Sequence, residues 1–314
     1  MTDPADPNPP TDRWHTLLTE GRHPKSKALD ALSSEEIVSL LLEEDRAGIE
    51  AALDQRETIA MAAEWVAETL ESGGDVVFAG AGTSGRLGIL EAAECPPTFG
   101  TDPERIRAVM AGGQMAVFEA QEGAEDRFDD GRDAVQNLGS GDLLVGLSAS
   151  SVTPYARGAL AQARQKGART MLVTCAGSEG LEDQADLLIA LETGPEILTG
   201  STRLKAGSAT KAVLNAITTA AMVRRGKVYE NLMVDLRPGS AKLRDRVLRI
   251  VESAGQVSRE EADREIRAAE GEVKTAIVMA RCQISVEEAR ERLAAAAGRV
   301  RQALSDFRRL EKSQ

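Results

Sequence analysis

The spacing of apolar residues changes near residue 75 of this 314-residue chain. From Ser33 to Leu70 they recur at every third or fourth position, as in amphipathic helices. Ser33 and Glu36 have the spacing of a capping box at the start of a helix. A second helix is predicted over 49–70 and ends at a Ser-Gly-Gly turn. Because short apolar runs and helical stretches alternate after this turn, the sequence predicts a helical extension followed by an α/β region.

Five short apolar runs in that region are predicted β-strands, and helical stretches separate them. This alternation predicts a doubly wound, mostly parallel five-stranded sheet with helices on both faces. In such folds ligands bind at the carboxyl ends of the strands. The strands are predicted at 75–79, 106–110, 143–147, 170–174 and 187–191, and the helices near 84–94, 115–138, 153–166 and 180–184.

The chain after the sheet is predicted to be helical. A long helix is predicted over 201–225, and beyond Asp245 the sequence is charged and alanine-rich, with two further capping boxes. These features indicate three or four short helices in a small C-terminal bundle. The predicted division is an N-terminal tail and helical extension over 1–62, an α/β ligand-binding domain over 63–245 and a C-terminal helical domain over 246–314.

Composition limits the class of partner. The net charge of −12 argues against a nucleic-acid or acidic membrane surface but is compatible with a local basic pocket. Three widely separated cysteines indicate neither a disulfide framework nor a zinc site, which fits a reducing cytoplasm. No apolar run reaches the roughly 18 residues of a membrane span. We therefore expect a soluble cytoplasmic protein with a small-molecule partner and with neither nucleic acid nor membrane as a partner.

Two loops carry the residues of a phosphate site. The first strand runs into GAGTSGR, where glycines permit close approach of a ligand and a helix start offers N–H groups and partial positive charge. Thr83, Ser84 and Gly85 are the predicted phosphate donors, and Arg86 follows them. The loop lacks the GK[ST] of a Walker A motif, and its GxGxxG spacing alone is a weak dinucleotide signal.

A second hydroxyl-rich loop follows the third strand. Ser148, Ser150 and Thr153 precede a helix that has Pro154 in its first turn. Serines also cap helices, so each loop alone has a structural interpretation. Two such loops at corresponding strand ends favour a phosphorylated ligand. Further along, Arg203 and Lys205 either bind a phosphate or carboxylate of the ligand or pair with surface acids.

Carboxylates are the candidates for acid–base chemistry, because the two histidines are isolated near the N-terminus. Glu91 and Glu94 lie three residues apart and share a helix face, and Pro96 is predicted to end that helix. Glu94 is thus either a general acid or a solvated helix-end residue. Glu125 belongs to an acidic run in the predicted helix 115–138, and spacing alone does not distinguish it from its neighbours.

Several stretches resemble the N-acetylmuramic acid 6-phosphate etherase family, whose members are built on a sugar isomerase (SIS) domain. They are GAGTSGRLGILEAAECPPTFG, QEGAEDRFDDG, VTPY, TGSTRLKAG and GKVYENLMVD. The resemblance implies an SIS domain over 63–245 that cleaves the lactyl ether of N-acetylmuramic acid 6-phosphate during cell-wall sugar recycling. The expected products are N-acetylglucosamine 6-phosphate and D-lactate, without a metal or organic cofactor. It also implies a homodimer, with Glu94 and Glu125 as the two functional carboxylates.

One departure and two alternatives stay open. Where the family usually has Gly-Arg in the second loop, this chain has Ser151 and Val152. The change removes freedom at positive φ and a charge, so affinity or substrate range is expected to differ. The alternative functions are an aldose–ketose isomerase acting on a phosphosugar and a non-catalytic regulator that senses one.

Overall fold

The described chain forms two compact units in this computed structural model. One consists of Met1–Ala93 and Pro103–Thr219, the other of Glu94–Asp102 and Ala220–Gln314. The domain boundaries after residues 62 and 245 stay predictions. None of the helices in the described ranges has both the length and the apolar character needed to span a bilayer. The structure describes residues 17–181, 183–236 and 240–311.

A parallel five-stranded sheet forms the core of the first unit and confirms the predicted α/β fold. Its strand order is β2-β1-β3-β4-β5. Val76 of β1 pairs with Ile106 on one side and with Leu143 on the other. The central strands β1 and β3 are fully buried, as expected where helices cover both faces. The strands are β1 Val76–Gly80, β2 Ile106–Met110, β3 Leu143–Leu147, β4 Arg169–Thr174 and β5 Leu187–Ala190.

The strand order reverses at β1, and this reversal locates the ligand crevice. The chain leaves β1 for β2 on one side and returns to β3 on the other. Loops that leave neighbouring strands in opposite directions open a crevice at their carboxyl ends. Gly80 at the end of β1 pairs with Leu147 at the end of β3. The two hydroxyl-rich loops therefore begin side by side.

Six α-helices begin among the described residues of the first unit. The capping box of the first is confirmed, because the Glu36 N–H donates to Ser33 Oγ at 3.3 Å and the Ser33 N–H donates to Glu36 Oε2 at 2.8 Å. An N-terminal strap, residues 17–32, precedes it and contains three 3-10 turns. The helices are α1 Ser34–Asp54, α2 Arg56–Glu71, α3 Gly82–Phe99, α4 Phe128–Ala134, α5 Pro154–Gln165 and α6 Lys205–Arg224.

Several helix predictions are wrong. The second helix, predicted over 49–70, begins at Arg56 because α1 continues to Asp54, and the described residues of the predicted helix 180–184 contain no helix. Helix α3 continues through Pro96 and Pro97 to Phe99, although neither proline can donate an N–H to the preceding turn. The predicted helix 115–138 is replaced by a 3-10 turn over Gln114–Val117, a loop and the short α4. Gly123, at a φ of +69°, interrupts the helical path. Glu125 consequently lies in a loop rather than on a helix face.

The second unit contains a helical bundle and a short hairpin. Five helices occur among its described residues, where three or four were predicted. The capping boxes at Ser258 and Ser285 are confirmed. Val251, Ala276 and Ile277 are completely buried in its core. The elements are β6 Val228–Tyr229, β7 Leu232–Met233, α7 Ala241–Gly255, α8 Arg259–Ala268, α9 Val273–Cys282, α10 Val286–Ala295 and α11 Val300–Glu311.

Candidate functional site

The first ligand loop is a tight turn from β1 into α3. An ideal Cβ built on Gly85 would lie 2.7 Å from the Gly80 carbonyl oxygen, so only glycine permits this approach of helix to strand. Gly82 starts the helix with a φ of +52°. Thr83 and Ser84 are partly buried in the first turn, where N–H groups lack intrahelical acceptors. This is the backbone geometry of an anion site.

The second ligand loop, Ser148 to Thr153, closes on itself. Ser148 Oγ donates to Thr153 Oγ1 at 2.9 Å, and the Ser151 N–H donates to the Ser148 carbonyl at 3.1 Å. Thr153 makes no side-chain cap to α5. Ser151 has a φ of +66°, in the left-handed region that favours glycine. The position where the family has glycine is thus one that needs it. Ser150 is partly buried in the same loop.

A cleft of about 180 Å³ lies beside the first ligand loop. Gly82 and Arg86 of α3 line it together with Glu125, so the fold brings together two segments that are far apart in sequence. The Arg86 Nε–H donates to the Val117 carbonyl at 3.0 Å, and its Nη2–H donates to the Ala116 carbonyl at 2.7 Å. These bonds use two of the five guanidinium donors and fix the plane of the group. A ligand in the cleft therefore meets an oriented cation.

Glu125 is anchored by its backbone. Its carbonyl accepts a hydrogen bond from the Tyr155 N–H at 3.0 Å, in the first turn of α5. The side chain is exposed, yet the surrounding protein partly desolvates the carboxyl and raises its pKa, and the charges of Asp126 and Glu122 raise that pKa further. A carboxylate with a raised pKa is a stronger base.

Close packing of α4 against α5 holds the Glu125 loop in place. An ideal Cβ on Gly158 of α5 would lie 2.0 Å from the Phe128 carbonyl oxygen. An ideal Cβ on Gly131 of α4 would lie 2.0 Å from the Tyr155 carbonyl oxygen. Two glycines thus let the backbones of the two helices touch, a contact that larger residues exclude. Sequence reasoning missed this feature because the two glycines are on different predicted elements.

Glu91 and Glu94 have different surroundings although they are one turn apart. Glu91 is buried and accepts a hydrogen bond from Thr218 Oγ1. With the Asn215 amide oriented to satisfy its neighbours, its nitrogen donates to Glu91 Oε2 at 2.7 Å. Glu94 is exposed. It is the twelfth residue after Gly82 on α3, about 18 Å along the helix at 1.5 Å per residue.

Arg203 and Lys205 also differ. Arg203 is exposed in the turn before α6. Lys205 is 3% exposed, and its Nζ donates to Glu44 Oε2 at 2.8 Å and to the Pro195 carbonyl at 2.9 Å. The structure therefore gives Lys205 intramolecular partners. Its predicted contact with the ligand stays a prediction that these bonds do not support.

Sequence reasoning missed the polar residues buried around Lys205. His23, described above as isolated, has its Nε2 3.2 Å from Glu44 Oε2. Glu196 is 1% exposed and accepts from the N–H groups of Lys205 and Ala206. Glu44 and Lys205 are 161 positions apart, so no spacing rule links them.

Comparisons with known proteins agree with this architecture. Residues 58–164 match the glucokinase regulatory protein N-terminal SIS domain family. An N-acetylmuramic acid 6-phosphate etherase of Parasynechococcus marenigrum (strain WH8102) is 48% identical over 86% of this chain and 85% of the relative. One from Geobacillus thermodenitrificans (strain NG80-2) is 48% identical over 84% and 90%. The crystal structure of the sugar isomerase domain of an RpiR transcription factor from Sphaerobacter thermophilus is 20% identical, with a TM-score of 0.44 over 60% of this chain and 91% of that one.

The etherase relatives match from the N-terminal helices into the C-terminal bundle, not the sheet alone, since the aligned segments cover most of both chains. The chain belongs to the N-acetylmuramic acid 6-phosphate etherase family.

Proposed function

We propose that the protein cleaves the lactyl ether of N-acetylmuramic acid 6-phosphate to N-acetylglucosamine 6-phosphate and D-lactate, in amino sugar recycling. The observation that carries the proposal is the cleft that Glu125, Arg86 and Gly82 share at the carboxyl ends of the strands. It offers a base with a raised pKa beside an oriented cation and an anion-binding helix start. Membership in the etherase family supports the substrate.

The reaction needs one base and one acid. In the open-chain sugar the C2 proton is adjacent to the C1 aldehyde, and Glu125 removes it. The electron pair of that C–H bond forms the C2–C3 double bond as the C3–O bond to lactate breaks. Glu94 protonates the departing ether oxygen and later, as a base, takes a proton from the water that adds to C3, while Glu125 returns its proton to C2. Each proton transfer contributes roughly a hundredfold to ten-thousandfold in rate.

The two ligand loops hold the substrate in this proposal. Thr83, Ser84 and the N–H of Gly85 bind the phosphate, and Arg86 offers its remaining N–H groups. On the other side of the crevice are Ser148, Ser150 and Thr153, which bind sugar hydroxyls. Arg203, exposed in the turn before α6, binds a phosphate or carboxylate of the ligand. Binding energy from these distant groups orients C2 and C3 toward the carboxylates.

We also propose that the enzyme works as a homodimer. In this proposal a second copy supplies Glu94 to each cleft. Helix α1 offers a face for such pairing, since four apolar side chains along it are exposed. Sedimentation equilibrium is expected to give twice the chain mass of 33.4 kDa, and a single-chain mass would refute the dimer. The four residues are Val38, Leu42, Ile49 and Leu53, between 45% and 64% exposed.

The decisive assay is release of D-lactate from N-acetylmuramic acid 6-phosphate by the purified protein. No release would refute the etherase proposal. We expect Glu94→Ala to abolish release while substrate still binds, and near-normal turnover would remove Glu94 from its role. For Glu125 the measurement is exchange of the C2 proton in heavy water, which Glu125→Gln is expected to stop. We assign the enzyme to the cytoplasm, because its three free cysteines fit a reducing compartment.

The two alternatives predict different products. A phosphosugar isomerase would convert an aldose phosphate to a ketose without lactate, and a sensor would bind the phosphosugar without turnover. A basic carboxylate in the cleft disfavours the sensor, since binding alone does not need one.

A further inference from the structure

The first turn of α6 lies next to the first ligand loop and is linked to the second through Cys175. An ideal Cβ on Gly207 would lie 3.6 Å from Thr83 Cγ2 in the first loop. The Cys175 thiol donates to the Ala206 carbonyl at 3.5 Å, and the Cys175 N–H donates to the Ala149 carbonyl at 3.0 Å in the second loop. One helical turn thus supports the first loop directly and the second through Cys175.

Buried charges hold this turn in place. The two carboxylate oxygens of Glu196 accept hydrogen bonds, Oε2 from the Lys205 N–H at 3.2 Å and Oε1 from the Ala206 N–H at 2.9 Å. They replace the missing intrahelical partners of these two N–H groups. The Lys205 ammonium extends away from the ligand loops to Glu44 on α1 and to the Pro195 carbonyl. Gly48 of α1 makes room for it, because an ideal Cβ there would lie 2.9 Å from Lys205 Cγ.

Glu44 links the same turn to the N-terminal strap. It is 9% exposed and has three basic neighbours, Lys205 at 2.8 Å, His23 at 3.2 Å and Lys25 at 3.7 Å. Burial opposes its ionisation, but the hydrogen bond and charge of Lys205, with the charges of His23 and Lys25, lower its pKa overall. In the neutral imidazole the His23 Nδ1 accepts from the Lys25 N–H at 3.3 Å, and the proton on Nε2 faces Glu44.

We propose that Glu44 and Lys205 are positioning residues for the ether-cleaving reaction, acting as one buried pair that keeps both ligand loops in their binding arrangement. This inference rests on the proposed function. Removing one charge leaves the other buried without its partner and destabilises the turn. Apparent affinity is proportional to the fraction of molecules whose ligand loops are in the binding arrangement. If that fraction falls to about one tenth, KM rises about tenfold. Saturating substrate restores the arrangement, so kcat changes little.

The test compares KM and kcat for D-lactate release in Glu44→Gln with wild type and with Glu43→Gln, an exposed neighbour on α1. We expect KM to rise about tenfold in Glu44→Gln, with kcat within about twofold, and no change in Glu43→Gln. A merely structural role would lower the unfolding temperature and leave KM unchanged. Calorimetric titration with the same phosphosugar reports the loss of affinity without turnover.

A double-mutant cycle separates a pair that acts as a unit from two independent contacts. Lys205→Met alone is expected to raise KM about tenfold, and the double variant by about the same factor. If the two increases multiply, so that KM of the double variant rises about a hundredfold, Lys205 acts on the ligand independently of Glu44 and the proposed pair is refuted. A wild-type KM in Glu44→Gln would overturn it as well.

The remaining outcomes also decide the question. If Glu44→Gln does not fold, Glu196→Gln takes its place beside Lys205→Met. A rise in KM for both supports positioning, and a rise for Lys205→Met alone refutes it. Absence of lactate release from wild type and Glu43→Gln would refute the proposed function, while unchanged phosphosugar affinity in Glu44→Gln would refute only the positioning role.

Discussion

Replacing Gly158 by alanine tests whether the packing of α4 on α5 positions Glu125. The new Cβ would lie 2.0 Å from the Phe128 carbonyl oxygen. A tolerable C···O contact is about 3.3 Å, so α4 must retreat by about 1.3 Å. The Glu125 carbonyl accepts from the Tyr155 N–H of α5 across the same contact, so a retreat of α4 stretches this bond and displaces Glu125. A misplacement of about 1 Å costs roughly a hundredfold in rate, and overpacking costs about 1–3 kcal/mol of stability.

The assay is kcat/KM for D-lactate release together with the thermal unfolding midpoint. We expect Gly158→Ala to lose about a hundredfold in kcat/KM and several degrees in the midpoint. Gly141→Ala is the matched control, because an ideal Cβ there meets no atom within 4 Å, and it should behave like wild type. A kcat/KM in Gly158→Ala within about threefold of wild type, together with an unchanged midpoint, would refute the reasoning. An unchanged kcat/KM with a lowered midpoint would refute only the link to Glu125.

Three further predictions concern the ligand loops and the carboxylates. Ser151→Gly should stabilise the protein by about 1 kcal/mol in denaturant unfolding, because a left-handed residue other than glycine is strained; no gain would contradict the strain. Because the pKa of Glu125 is raised, falling pH protonates this base, and lowers activity, at a pH above the ordinary carboxyl pKa of 4.5. Asp126→Asn removes one like charge and should shift the acid limb of kcat/KM to lower pH, and an unmoved limb would exclude Glu125 as the titrating base. Mixing equal amounts of Glu94→Ala and Glu125→Gln under subunit exchange should restore about a quarter of wild-type activity, since half of the random dimers are mixed and each has one intact site; no recovery would place both carboxylates in one chain.

Features that depend on adjacent residues were predicted well. The bounds of β2 and β3 are as predicted, and all three capping boxes form, because a cap needs only a hydroxyl and a carboxylate three residues apart. Replacing the family's glycine by Ser151 was expected to remove freedom at positive φ, and Ser151 has a φ of +66°, where that freedom matters.

Features that depend on contact between distant segments could not be predicted. The acidic run was read as a helix because its composition suits one, but Gly123 and the contact of α4 with α5 make it a loop. The pair of prolines was read as a helix end, yet α3 continues through it. Local propensity sets only a preference, and packing against the rest of the fold overrides it.

Local sequence patterns were therefore enough to predict the order and type of the main elements, the two ligand loops and, through resemblance, the family. The three-dimensional fold was needed to show that Arg86 and Glu125 share a cleft, that Glu91 is buried while Glu94 is exposed, and that Lys205 pairs with Glu44. The physical reason is that strand order and helix crossings bring together residues that no local spacing connects, and burial then selects which charges must be paired.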